Sequence, residues 1–145
     1  MSPTEANVRV LLARGVLAAV CTHARHALPG ECCGALLGRA TGAGPLVERA
    51  LPLPNQAGEA RAYLVGPESV RTAEAEAAAA ALEVVGFYHS HPASAPVPSP
   101  ADLEAGWPWY TYLLVDASTG EARAWTLADD RSAFVERALH MEPEP

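Results

Sequence analysis

Two histidines, a serine and an aspartate lie close together near residue 90, as His89-Ser90-His91, seven residues, Ser99, two residues, and Asp102. Residues two apart in a strand point to the same side, so His89 and His91 at the end of an apolar strand can converge on one ion. A catalytic zinc takes three protein ligands from histidine and carboxylate and keeps one position for water. With Asp102 as the third ligand, the spacing predicts one zinc ion per chain.

The loop between the histidines and Asp102 contains several prolines, which lower the entropic cost of holding the aspartate near the histidines because each fixes one backbone angle. The segment Ser99-Pro100-Ala101-Asp102 also has the pattern of a helix start, with serine as N-cap and an acid at the third position. Taken alone, this capping role is the better interpretation of Ser99 and Asp102. The two roles are compatible, because Asp102 can bind a metal from the first turn of a helix that Ser99 caps.

One acid upstream, Glu31 in the segment PGECCGALLG, has the position of a possible general base. An isolated loop glutamate is usually solvent-exposed, and this is the simplest interpretation of Glu31 by itself. A metalloprotease, however, needs a carboxylate that takes a proton from the attacking water and passes it to the leaving amine. Glu31 meets this need if its strand lies beside the strand that carries His89, an adjacency that the sequence does not give.

Composition narrows the class of protein. The chain has 145 residues, half of them hydrophobic, which fits one globular domain over residues 1–145. A net charge of -7 argues against a nucleic-acid partner. The N-terminal residues have no signal-peptide pattern, and no run reaches the about 18 apolar residues of a membrane span. The odd number of cysteines, Cys21, Cys32 and Cys33, does not suggest a disulfide framework, so we expect a cytoplasmic protein without a membrane partner.

Hydrophobic periodicity predicts an α/β layered fold, because helices and strands interleave along the chain. Helices are expected over residues 12–28 and 67–83, and strands over 33–37, 47–51, 62–65, 84–88, 111–115 and 122–127. A loose C-terminal tail is expected from about residue 141. Outside the metal set, His23, His26 and His140 lack ligand spacing and are expected to be solvated, and Cys33 is expected to be a buried structural thiol. The aromatic residues that follow Asp102 are expected to pack in the core or at a groove rim; they are Trp107, Trp109, Tyr110 and Tyr112.

The pattern Glu, then H-S-H, seven residues, S, two residues, D resembles the JAMM/MPN+ (Mov34-type) zinc metalloproteases in their compact bacterial form. The flanks YLVGPESVRTA and VVGFYHSHPASAPVPSPADLEAGWP match as well, and the likeness runs from about residue 12 to about 127. The resemblance implies a single domain with the cytidine-deaminase-like α/β/α sandwich and a mixed sheet. It also implies a zinc site of His89, His91 and Asp102, with Glu31 as general base and Ser99 as a hydroxyl that helps hold the water or the oxyanion.

The resemblance further implies a peptidase or isopeptidase that cleaves after the C-terminal Gly-Gly of a ubiquitin-like or sulfur-carrier protein. Its oligomeric state stays open, with a homodimer as one possibility. Three rivals were weighed. A zinc nucleoside deaminase carries H-x-E followed by P-C-x-x-C, which is absent here. A structural zinc site has four closed Cys/His ligands. A non-catalytic MPN-type binding module for a ubiquitin-like partner is the remaining alternative, ranked low because all ligands and the base are present.

Overall fold

The computed structural model describes residues 8–55 and 65–142 of the chain. Within them lie seven strands and three helices, which alternate along much of the chain. In order they are β1 Arg9–Leu12, α1 Val16–Ala27, β2 Cys33–Thr41, β3 Gly44–Leu53, α2 Pro67–Ala79, β4 Glu83–His91, α3 Pro100–Ala105, β5 Thr111–Asp116, β6 Ala122–Leu127 and β7 Phe134–Met141.

The first predicted helix begins later than the periodicity suggested. Leu12 belongs to β1, and α1 starts only at Val16. Gly15 separates the two elements with a left-handed φ of 87°, a conformation that costs glycine little. Leu12 and Ala13 fit the helical spacing by coincidence, because β1 is held by parallel pairing with distant strands and not by a local signal.

The second helix ends earlier than predicted, at Ala79 instead of residue 83. Ala81 adopts a left-handed φ of 59°, and the amide of Leu82 donates to the carbonyl of Ala77 over 2.8 Å. This six-to-one hydrogen bond closes the helix as in a Schellman motif, with alanine at the position that glycine usually takes. The high helix propensity of the alanine run therefore extended the prediction past the true end.

The predicted strands 33–37, 47–51, 84–88, 111–115 and 122–127 all exist, and most are longer than expected. The strand predicted over 62–65 falls largely outside the described residues, and Val65 has no regular structure. Strand β7 was not predicted. It includes Met141, where the sequence predicted a loose tail to begin, and the amide of Glu142 donates to the carbonyl of Leu12 over 3.0 Å.

The strands form one mixed sheet in the order β1-β3-β2-β4-β5-β6-β7, and β1 and β7 then pair in parallel to close it. Antiparallel hairpins join β2 to β3, β5 to β6 and β6 to β7. Strands β4 and β5 run parallel and are connected through α3. The closure leaves no free sheet edge among the described strands, which protects the sheet from pairing with other chains.

Helices cover both faces of this sheet, which confirms the predicted α/β class with a mixed sheet. Helix α1 inserts Val16, Val20 and Ala24 into one apolar cluster with side chains such as Leu36 and Leu113. Helix α2 packs Ala73 and Ala77 onto the opposite face, in a second cluster whose other buried members are Ala35, Leu37, Leu53, Phe87, Tyr112 and Leu114. Small alanine side chains let α2 approach the sheet closely.

An extra residue in β4 decides which face its later side chains occupy. Leu36 pairs with Gly86 and Leu37 with Val84, so Val85 has no partner of its own on β2. Such a bulge shifts the alternation by one residue. Val85 packs in the α1 cluster, and after the bulge Phe87 packs in the α2 cluster. His89 and His91 follow Phe87 at intervals of two, so they face the α2 side.

Candidate metal centre

The site lies at the carboxyl ends of two parallel strands, where α/β sheets place their ligands. His91, the last residue of β4, pairs with Asp116, the last residue of β5. The chain leaves β4 through a proline-rich loop and returns through α3, whose first turn carries Asp102. Pro96 is fully buried in that loop, and its carbonyl accepts a hydrogen bond from the indole of Trp125 over 3.0 Å. These contacts fix the loop between the histidines and Asp102.

The fold brings His89, His91 and Asp102 together. Each offers one ligand atom, and these atoms all lie within 4.8 Å of one another. The Nε2 atom of His89 lies 3.5 Å from Oδ2 of Asp102, and both side chains are buried. The two imidazole rings are tilted to each other by 57° with their centroids 5.4 Å apart. His89 and Asp102 are 13 positions apart in the chain, and the fold brings them and His91 into one small volume.

The donor set fits a divalent metal such as zinc, which prefers imidazole nitrogen and carboxylate oxygen. The Nδ1 atom of His91 lies 2.8 Å from the carbonyl oxygen of Ala95. A metal-binding histidine usually donates its second ring N–H to such an acceptor, which orients the ring and leaves the other nitrogen for the ion. The backbone of the proline-rich loop thus orients His91 with Nε2 available to a metal.

Asp102 is held by the start of α3 as well as by His89. Its Oδ2 atom accepts the amide N–H of Ser99 over 2.7 Å, and its own amide donates to Oγ of Ser99 over 3.2 Å. Burial raises the pKa of Asp102, but contact with His89 and the hydrogen bonds from Ser99 outweigh it, so the pKa lies below the usual value. Asp102 is therefore an ionised carboxylate at neutral pH, as a metal ligand must be.

Glu31 lies beside this cluster. Cys33, two residues after Glu31, is the direct cross-strand partner of His89, which gives the adjacency that the sequence left open. Burial raises the pKa of Glu31, while His89 and His91 partly oppose that rise. Its Oε1 atom is buried and makes no hydrogen bond with any residue in the described part of the chain. A partly buried carboxyl whose Oε1 atom has no partner among the described residues, and which senses the charges of His89 and His91, is available for proton transfer.

Ser99 is the N-cap of α3 and completes a capping box with Asp102, as the sequence pattern predicted. It is only partly buried. A catalytic role for its hydroxyl remains a prediction, because the capping bond alone explains the geometry.

We predict that Ser99→Ala lowers turnover by more than its loss of stability explains. Loss of the cap costs about 0.5–2 kcal/mol of folding free energy. Loss of a donor to a developing oxyanion costs about 10²–10³ in turnover. Melting temperature and kcat are measured on the same preparation, with Ser99→Asp as a variant that keeps a capping acceptor but has no hydroxyl. A lower melting temperature with unchanged kcat in Ser99→Ala would leave the capping role alone.

An apolar groove lies on the same face of the sheet, between α2 and the segment that joins α3 to β5. Phe87, two residues before His89 on β4, is one of its lining residues. Trp107 and Trp109 stack with their centroids 5.1 Å apart and are exposed by 48% and 67%. Tyr112 is buried and its hydroxyl accepts the amide N–H of Trp107 over 2.8 Å. The tryptophans therefore form a groove rim, whereas Tyr112 packs in the core.

One polar contact was not found by sequence reasoning. His23, predicted to be solvated, is partly buried, and its Nδ1 atom lies 2.8 Å from the hydroxyl of Tyr88. That prediction was wrong because α1 turns His23 toward the sheet, and helical periodicity alone does not show how far a side chain reaches. His26 and His140 are exposed, as expected.

Cys33 is fully buried, and burial raises its pKa to about 11, so it is the unreactive structural thiol that was predicted.

The model of the prokaryotic homologs of the JAB domain matches residues 13–128. A desampylase of Haloferax volcanii is 40% identical over 112 residues, which cover 73% of this chain and 79% of that protein. A Thermus thermophilus protein named "Probable TtuB-protein conjugate cleaving protease" is 35% identical over 96 residues, covering 65% and 62% of the two chains. A solution structure of a Desulfitobacterium hafniense protein matches with a TM-score of 0.82 and 28% identity, over 93% of this chain and 94% of that one.

The chain belongs to the family of prokaryotic homologs of the JAB domain, which confirms the resemblance to the JAMM/MPN+ proteins. It is a hydrolase of the JAMM type. The length of the match agrees with the extent of the likeness seen in the sequence. Among the helices of residues 8–55 and 65–142, none is long and apolar enough to cross a membrane.

Proposed function

We propose that this protein is a zinc-dependent isopeptidase or peptidase that cleaves after the C-terminal Gly-Gly of a ubiquitin-like or sulfur-carrier protein. The observation that carries the proposal is the convergence of His89, His91 and Asp102, with ligand atoms within 4.8 Å of one another, beside Glu31, whose buried Oε1 atom bonds to no described residue. The three ligands would hold one zinc ion per chain. When bound, the ion would acidify a coordinated water and polarise the substrate carbonyl.

Glu31 is the general base in this proposal. Its carboxyl takes a proton from the attacking water and then gives that proton to the nitrogen of the leaving amine. A base works best when its pKa approaches the working pH, and burial moves the pKa of Glu31 in that direction. Because Oε1 has no hydrogen-bond partner among the described residues, no protein contact has to break before the proton moves.

In this proposal Ser99, the N-cap of α3, also assists the reaction. Its backbone N–H holds Oδ2 of Asp102 and its hydroxyl accepts the amide N–H of Asp102, so the proton of that hydroxyl is free to donate elsewhere. A donation to the oxyanion that develops on the scissile carbonyl would stabilise the transition state. The same residue would thus order a metal ligand and support the reacting carbonyl.

The substrate class is supported by the two named relatives and by the shape of the site. A desampylase and a protein described as cleaving TtuB conjugates are 40% and 35% identical to this chain. Glycine residues at the cleavage point let the backbone approach a metal closely, since they have no side chain. The groove between α2 and the tryptophan rim offers an apolar surface for the residues that precede them.

The substrate proposal predicts that a folded carrier is cleaved far better than its isolated tail. A compact chain without large insertions must draw binding energy from the carrier body as well as from the tail. The experiment compares kcat/KM on three substrates: a carrier–cysteine adduct, a carrier–lysine isopeptide and the free tail peptide. We expect the folded carriers to exceed the peptide by about 10-fold or more, the effect of roughly 1.4 kcal/mol of extra binding.

The same experiment needs a carrier whose Gly-Gly is changed to Ala-Ala as its matched control, and this substrate should resist cleavage. Equal rates on carriers and tail peptide would rule out carrier recognition. Activity on unrelated peptides alone would indicate a general metallopeptidase. Binding of the carrier without any turnover, in protein that contains zinc, would favour the non-catalytic binding module.

A further inference from the structure

The end of β4 has a second face that the metal site does not use. His89 and His91 point toward α2, so Ser90 between them points to the α1 side, where it is fully buried. Its Oγ atom accepts the amide N–H of Cys32 over 2.9 Å, and its own amide donates to the carbonyl of Cys32 over 3.1 Å. One serine therefore holds both backbone groups of the residue that follows Glu31.

A second contact holds the segment from the other side of Glu31. The side-chain amide of Asn55 donates to the carbonyl oxygen of Glu31 over 3.0 Å. Glu31 itself lies before the first residue of β2, Cys33, so the regular hydrogen bonds of that strand do not include it. The orientation of the Glu31 backbone thus depends on these few contacts, of which those made by Ser90 are buried.

We propose that Ser90 is a positioning residue that keeps Glu31, the general base, at a fixed position relative to the metal ligands. The inference rests on the proposed function, because it assigns a role relative to Glu31. Ser90 is covalently joined to His89 and His91 and hydrogen-bonded to Cys32, which is joined to Glu31. It is a direct physical link between the ligands and the base. Without its hydroxyl, the amide of Cys32 loses its acceptor, and the Glu31 segment is held less firmly by the backbone bond from Ser90 and the contact from Asn55 that remain.

A small displacement of a base has a large effect on rate, since a shift of about 1 Å can cost about 10² in turnover. Ser90→Ala should therefore lower kcat by roughly 10-fold to 10²-fold, with KM changed less than about twofold, because substrate contacts remain. Zinc content should stay at that of the wild type. Ser90→Thr, which keeps the hydroxyl, should restore most of kcat. Ser69→Ala, which removes another buried serine hydroxyl on α2, is the matched control and should leave kcat unchanged.

The decisive measurement is a double-mutant cycle with Glu31→Gln. If Ser90 acts through the base, Ser90→Ala has no further effect on kcat once Glu31 has been replaced. An equal loss in both backgrounds would overturn the proposal, as would loss of zinc in Ser90→Ala or a lower melting temperature with unchanged kcat.

Amide hydrogen exchange tests the link without relying on activity. The Cys32 amide should exchange faster in Ser90→Ala than in the wild type, while amides in the middle of β2 keep their protection. Unchanged protection of Cys32 would show that Ser90 does not hold the segment. Should the wild-type protein cleave no carrier, the proposed function fails, and the exchange result still decides whether the link exists.

Discussion

Glu31→Gln is expected to retain folding and zinc and to lose about 10²–10⁴ of the turnover, the range that general-base catalysis contributes. Glutamine has nearly the same shape as glutamate but cannot accept a proton from water at neutral pH. Because Oε1 of Glu31 bonds to no described residue, the substitution breaks no hydrogen bond at that atom. The measurement is kcat on a carrier conjugate, with elemental analysis and melting temperature on the same sample.

The control for this experiment is Glu104→Gln, which removes an exposed carboxylate from α3, the helix that carries Asp102. It changes the net charge by the same amount and should keep near wild-type turnover. Wild-type activity in Glu31→Gln would assign the base to another group. Loss of zinc in that variant would instead make Glu31 a ligand or a structural residue.

His91→Ala is expected to remove most of the zinc and, with it, the turnover of the enzyme. The wild-type protein should bind about one zinc ion per chain, as the ligand set of a catalytic site requires. Removing one of three ligands leaves His89 and Asp102, which face each other at 3.5 Å and can form an ion pair without a metal. Zinc per chain, measured by elemental analysis after dialysis, and kcat should therefore fall together.

The matched control is His140→Ala, which removes an exposed histidine from β7 and should leave one zinc per chain. Full zinc content in His91→Ala would contradict the assignment of the ligands. Loss of zinc in both variants would indicate binding to surface histidines in place of a defined site. After a chelator has removed the metal, added zinc should restore the turnover of the wild-type protein. The same treatment should not restore the turnover of His91→Ala.

Local sequence signals determined the parts of the site that are close together in the chain. His89 and His91 are two residues apart at the end of an apolar strand, and this spacing alone places them on one side. The capping box of Ser99 and Asp102 was also predicted from four consecutive residues, and the structure contains it. Both features depend on backbone geometry over a few residues, which is why the pattern of residue types is enough to predict them.

Pairing between distant strands determined the rest. The adjacency of Glu31 to the histidines arises because Cys33 pairs with His89, 56 positions away, and no local pattern gives that register. The bulge at Val85 then sets the face on which His89 lies, since one extra residue reverses the alternation of side chains. Strands β1 and β7 were missed for the same reason, because they are stabilised mainly by pairing with each other and with β3 and β6. Local patterns thus predicted the candidate ligands, whereas pairing between distant strands decided which acid lies beside them.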